Sequence, residues 1–100
     1  DPDARPLSGV PSLIWATHNG NINMIKLLLE YGADPLKQDK DGDTALMLAA
    51  RNGNLEIAKL LVESGADVNL KSTQKNTALS FAIKNNYKSV AEYLKSHGAR

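Results

Sequence analysis

The 100-residue chain has no cysteine. That excludes a disulfide framework and leaves no thiolate for nucleophilic catalysis or metal binding. No apolar run approaches the ~20 residues that a membrane span needs. There is no glycine-rich phosphate loop. Excess charge is also missing: the formal net charge is +1, which gives a nucleic-acid backbone little long-range attraction. The opening stretch DPDARPLSGVP is polar and lacks the charged-then-apolar layout of a signal peptide. These absences lead us to expect an intracellular, reducing setting, cytoplasmic or nuclear, with no membrane association.

Catalytic arrangements are missing too. His18 and His97 fall at unrelated positions, and no Ser-His-Asp or paired-carboxylate pattern accompanies them. Asp39, Asp41 and Asp43 are clustered, but a calcium loop would require a glutamate at its twelfth position, and none is there. The expectation is a protein that is not an enzyme, without catalytic residues, metal, cofactor or small-molecule substrate.

What is present is an ordinary soluble composition, 42% hydrophobic, with charge unevenly divided. Residues 1–70 hold six Lys/Arg against ten Asp/Glu, whereas residues 71–100 hold six Lys/Arg against Glu92 alone. A solvated polar surface accounts for this, as does a partner with the matching charge pattern.

The dominant feature is repetition. GNLEIAKLLVESGADVN, at 53–69, nearly copies GNINMIKLLLEYGADPL, at 20–36, after a shift of 33. At that shift Leu13, Leu46 and Leu79 align, as do Ala16, Ala49 and Ala82, and Leu28, Leu61 and Leu94. Gly32, Gly65 and Gly98 align as well, each followed by alanine. A fixed period of this size marks a repeat architecture. Within a unit the spacing predicts two short helices. Leu46, Ala49, Ala50 and Gly53 form one helical stripe, with Thr44 as N-cap and Gly53 as stop. Asn54 then caps a second helix, whose apolar face is Leu55, Ala58, Leu61 and Val62 with Ile57 and Leu60 beside it. Gly65 follows in the left-handed position that closes a helix. The small residues at 16, 49, 50 and 82 let neighbouring helices approach, and the leucines fill the layer between units.

These residues resemble the ankyrin repeat family, whose phrases are D-x-x-G-x-T-P-L-H-x-A-A, G-x-x-E-I-V-x-L-L-L and G-A-D-V-N. The middle unit reads DKDGDTALMLAARNGNLEIAKLLVESGADVN. The resemblance implies one domain over 1–100, an all-α repeat solenoid. Its helix-turn-helix units are joined by short β-turn or hairpin fingers, with repeats at about 6–38, 39–71 and 72–100 and a cap-like third unit. There are departures. The family's proline is Ser12, Ala45 and Ala78; its histidine, which ties neighbouring units, is Ile14, Met47 and Ser80. Ser72 and Lys75 replace the third finger's aspartate and glycine, and Asn86 replaces the mid-unit glycine, so a looser or irregular third finger is expected. Lys88, Tyr93 and Lys95 make the last helix more polar. Ile14 and Trp15 leave the first unit apolar; either DPDARPLSGV covers them or another unit precedes.

The resemblance further implies a protein–protein interaction module that grips a protein or extended peptide through a concave groove and finger tips, in the manner of an adaptor or scaffold. The residue two after each first-helix leucine lies about 200° around the helix, away from the core. This gives a ladder of Trp15, Leu48 and Phe81, with His18, Arg51 and Lys84 beside it and Asn19, Asn52 and Asn85 next. Tryptophan and arginine are frequent interface anchors, but the three large groups equally suit packing between units. In the second finger Gln38, Lys40, Asp41 and Asp43 should be exposed, matched in the third by Lys71, Thr73, Gln74 and Asn76. A partner basic toward the second finger and acidic toward the third fits this pattern. The alternatives are self-association or stacking within a longer array and, less favoured, a nucleic-acid surface on the basic third unit; as an isolated domain the chain is expected to be monomeric. Finally, Leu61, Asp67 and Val68 ahead of Asn69 resemble the asparaginyl hydroxylation pattern of ankyrin domains, a role Asn69 shares with ordinary turn chemistry.

Overall fold

A computed structural model of the chain describes residues 13–39 and 41–99. The opening decapeptide and Lys40 lie outside the described residues. Six helices follow in order: α1 Leu13–His18, α2 Ile22–Glu30, α3 Ala45–Asn52, α4 Leu55–Glu63, α5 Ala78–Lys84 and α6 Lys88–Ser96. No strand occurs among the described residues.

Each helix begins and ends where its local chemistry dictates. The side chains of Asn21, Thr44, Asn54 and Thr77 accept the backbone N–H three residues on, at 3.1–3.2 Å. Each such cap is worth about 1 kcal/mol. At the far end of α4, Gly65 donates to Val62 and Ala66 to Leu61, and Gly65 holds φ 104. That pairing closes a helix by turning one residue left-handed. Identical bonds recur at Gly32–Ala33 and Gly98–Ala99.

The helices form two layers, α1–α3–α5 and α2–α4–α6, and the two helices of each unit pack against each other. The first layer is the more closely packed, because Ala16, Ala49, Ala50 and Ala82 present almost no side chain and are fully buried. Ile25, Ile57, Leu61, Val90 and Leu94 fill the space between the layers and are fully buried. Each contributes about 1.5–3 kcal/mol by leaving water. One expectation shifts here. The buried stripe of α4 is Ile57, Ala58 and Leu61, while Leu55 and Val62 are only partly buried. The outer layer is flanked less closely, so its edge positions keep contact with water.

The loops before α3 and α5 make turns of one design, contrary to the expected looser third finger. Asp39 N–H donates to Asp43 O, and Gly42 N–H to Asp39 O. Ser72 N–H donates to Asn76 O, and Lys75 N–H to Ser72 O. Ser72 Oγ accepts from Asn76 N–H as Asp39 Oδ1 accepts from Asp43 N–H. Lys75 takes φ 65 where Gly42 has φ 78. A hydroxyl thus supplies the aspartate's acceptor, and the lysine carries the left-handed strain. The absent inter-unit histidine is replaced at the fingers. Gln38 Nε2 donates to Lys71 O at 3.0 Å, and both the N–H and the hydroxyl of Thr73 donate to Asp41 O. Ser80 caps its own helix reciprocally with Thr77.

Candidate partner-binding groove

The groove is built from the groove-side residues of α1, α3 and α5 and the two finger turns. Trp15 is 51% exposed, so the indole stands at the surface at one end of the expected ladder. Leu48 is not part of a surface ladder: it is 4% exposed. The reason is position in the stack. The helical wheel turns Leu48 away from the main core cluster, but α3 is flanked by both α1 and α5, and the flanking helices close over it. Phe81 is half-buried, and the Arg51 guanidinium carbon lies 5.6 Å from its ring centroid. An arginine so placed gains about 0.5–1 kcal/mol from the ring face.

A cavity of about 290 Å³ lies between the second and third fingers. Asp41, Asp43, Arg51, Thr73, Gln74, Phe81 and Lys84 line it, together with Ser72 and Asn76. Eight of the residues singled out from the sequence, Asn76 among them, are therefore brought together. The others stand apart from this cavity. His18 ends α1 and Asn19 follows it in the turn; Gln38 and Lys71 join the fingers; Asn52 is exposed at the end of α3. The side chains of Asn19 and Asn85 donate to the carbonyls of Trp15 and Phe81, four residues back. Lys40 lies outside the described residues.

Asp43 corrects another expectation: it is 9% exposed rather than open to solvent. Burial pushes its carboxyl above the usual range; Asp39 and Asp41 add to this, and Arg51 opposes it. Carboxylate oxygens of Asp39, Asp41 and Asp43 lie within 4.8 Å of one another. Asp39 is spent within the turn, since its Oδ1 accepts from the N–H groups of Asp41 and Asp43. The turn chemistry expected of Asn69 is present: its N–H donates to Asp67 Oδ1, and its Nδ2 donates to Gly98 O at 3.1 Å across the seam.

The sequence reading missed Ser72 as a cavity wall and Tyr87 as a seam residue. Ser72 was hidden because only the fold brings its turn beside Arg51. It also missed the exposed Leu27, on α2, and Tyr31, its C-cap; the signal was Leu27 lying about 200° around the helix from Ile25.

The two-layer stack of capped helix pairs is the architecture that the 33-residue period implied. The family model for ankyrin repeats, in three copies, matches residues 13–100. The chain belongs to the ankyrin repeat family. Members are generally protein–protein interaction modules and typically non-catalytic. No curated protein matches the chain. No helix among the described residues is long and apolar enough to cross a membrane.

Proposed function

We propose that this chain is a non-catalytic adaptor or scaffold module that binds a partner protein or extended peptide along the first-helix groove and the finger turns. The observation that carries the reading is the cavity between the second and third fingers, where charged and aromatic groups from two units converge. The exposed indole of Trp15 extends the same face toward the first unit. Aromatic and arginine side chains at the centre of a groove are the groups that supply most interface energy. Affinity capture of partner proteins from cell extract tests the reading. The control is the Trp15→Ala/Phe81→Ala double variant, shown to be folded by circular dichroism. Partners retained by the wild-type chain and lost from the variant are expected; undiminished capture by the variant rejects the groove.

Stacking on a further unit or a second copy is a second reading with its own observation. Ile83 is 55% exposed, in register with Ala50, which is 0% exposed beneath its neighbour. An apolar side chain thus faces outward at the end of the inner layer. A concentration-independent monomer in size-exclusion chromatography with light scattering rejects self-association.

A further inference from the structure

The cavity between the second and third units is lined by charged groups of both signs, two acidic and two basic. Asp41 and Asp43 come from the turn before α3, whereas Arg51 and Lys84 come from the last turns of α3 and α5. Arg51 is held before any partner arrives, because its guanidinium lies over Phe81. Holding it lowers the entropy lost on binding. Arg51 makes no hydrogen bond with any described residue, although its charge already acts on Asp43. A planar fork of free N–H groups matches the two oxygens of a carboxylate. At the turn before α3 the need is reversed. Asp41 and Asp43 line the cavity and are crowded by Asp39 behind them, the three carboxylates lying within 4.8 Å of one another, and a cation brought against the two relieves that repulsion.

We infer that this cavity receives an extended segment of the partner protein carrying an acidic side chain, gripped by Arg51 with Lys84 alongside, and near it a basic side chain that lies against Asp41 and Asp43. The inference rests on the groove reading above and gives it a chemistry and a direction. A phosphorylated segment is the poorer occupant. It brings a charge of about −1.5 to −2 beside Asp41 and Asp43 and offers them no cation. Arg51 is exposed in the free chain, so its charge-assisted pair with a carboxylate gains strength only as the bound segment covers it, and its loss weakens binding by about tenfold.

The test is selection of random, unphosphorylated dodecapeptides displayed against the wild-type chain, followed by titration of the synthetic winners. The expected winners share an acid and a base at fixed separation. Their binding falls about tenfold or more when the acid is changed to its amide, a comparison that leaves the protein untouched. Binding falls similarly with Arg51→Met, and Arg51→Glu regains affinity for a winner whose acid is replaced by lysine. Winners without an acid, or winners indifferent to Arg51→Met, overturn the inference; if Trp15→Ala still weakens those winners, the groove reading stands without it. A phosphoserine version that binds tighter than the acidic one overturns the choice of occupant. If no peptide is enriched over a protein-free control, both readings fail.

Discussion

The ring of Tyr87 occupies the space that a side chain on Gly53 would need. A Cβ built on Gly53 stands 2.5 Å from two carbons of that ring. Tyr87 opens α6 where Asn21 and Asn54 open α2 and α4, and it makes no side-chain cap. A capping hydrogen bond has been replaced by packing across the seam between the second and third helix pairs. Gly53 is therefore required twice, for its φ of 73 and for the ring above it.

Gly53→Ala should lower stability by about 2 kcal/mol, with roughly half from the left-handed backbone. The ring is the far end of a side chain with access to solvent and can swing away, so the clash is the smaller risk and the lost packing the larger. In a Tyr87→Ala background the cost of Gly53→Ala should shrink to its backbone part. Urea unfolding of the two single variants and the double variant reads this coupling directly. Equal cost in both backgrounds would show that the two residues do not touch.

Gly42→Ala should be worse. Its added Cβ would lie 2.7 Å from Thr73 N and 3.1 Å from Ser72 C and Cα, and backbone cannot rotate aside. The same Thr73 N–H holds Asp41 O across the fingers, so relief of the clash breaks the tie. A loss of roughly 3 kcal/mol is expected, against about 1 kcal/mol for Gly65→Ala, where only the left-handed φ opposes the methyl. Thermal unfolding of both variants under one buffer makes the comparison; a Gly42→Ala protein as stable as Gly65→Ala would remove the close approach.

Lys75 bears in the third finger the conformation that Gly42 bears in the second. Replacing Lys75 with glycine should stabilise the chain by about 0.5–1 kcal/mol, the relief of the left-handed lysine less the extra freedom glycine has when unfolded. Asn86→Gly should gain less, because asparagine tolerates that region. A shift of the chemical-denaturation midpoint upward for Lys75→Gly, with unchanged slope, is the outcome to look for; a downward shift contradicts the turn geometry.

The fold was legible because a period of 33 superimposes the same physical devices. Thr44 and Asn54 as caps, Gly53 and Gly65 as left-handed stops and the alanine seams are local chemistry, which sequence displays directly. Ser72 misled because the residue type changed while the bond did not: a hydroxyl accepts the same N–H. Leu48 and Asp43 misled for a different reason. A helical wheel gives the direction of a side chain, but not how far neighbouring units close over it, and the middle unit is covered from both sides. The cavity was beyond sequence reading altogether, since it exists only where the turn before α5 meets the end of α3.

The burial of Leu48 separates two substitutions that look equivalent in the repeat. Leu48→Ala removes a buried side chain and should cost about 2–3 kcal/mol of stability. Trp15→Ala removes a half-exposed ring and should cost about 1 kcal/mol or less, while its effect falls on partner capture. Denaturation midpoints of the two variants, measured side by side, decide the matter. A Trp15→Ala protein that is the less stable of the two would assign the indole to packing between units.

Asp43 gives the chain a pH dependence of defined sign. Its folded carboxyl is raised above its ordinary value, first by burial and then by Asp39, with Asp41 adding. The folded state thus holds this proton more tightly than the unfolded state, so the favourable contribution is full below the ordinary carboxylate range. It is lost as pH climbs from about 3.8 through the raised folded value. At neutral pH the ionised, crowded Asp43 works against the fold, and Arg51 offsets only part of that. Asp43→Asn should therefore stabilise the chain at pH 7 relative to wild type, with the advantage vanishing below the ordinary carboxylate pKa. Urea midpoints of both proteins across the acid range test it. An Asn variant that is less stable at pH 7 would show instead that the Asp43 charge is held by Arg51 more strongly than burial opposes it.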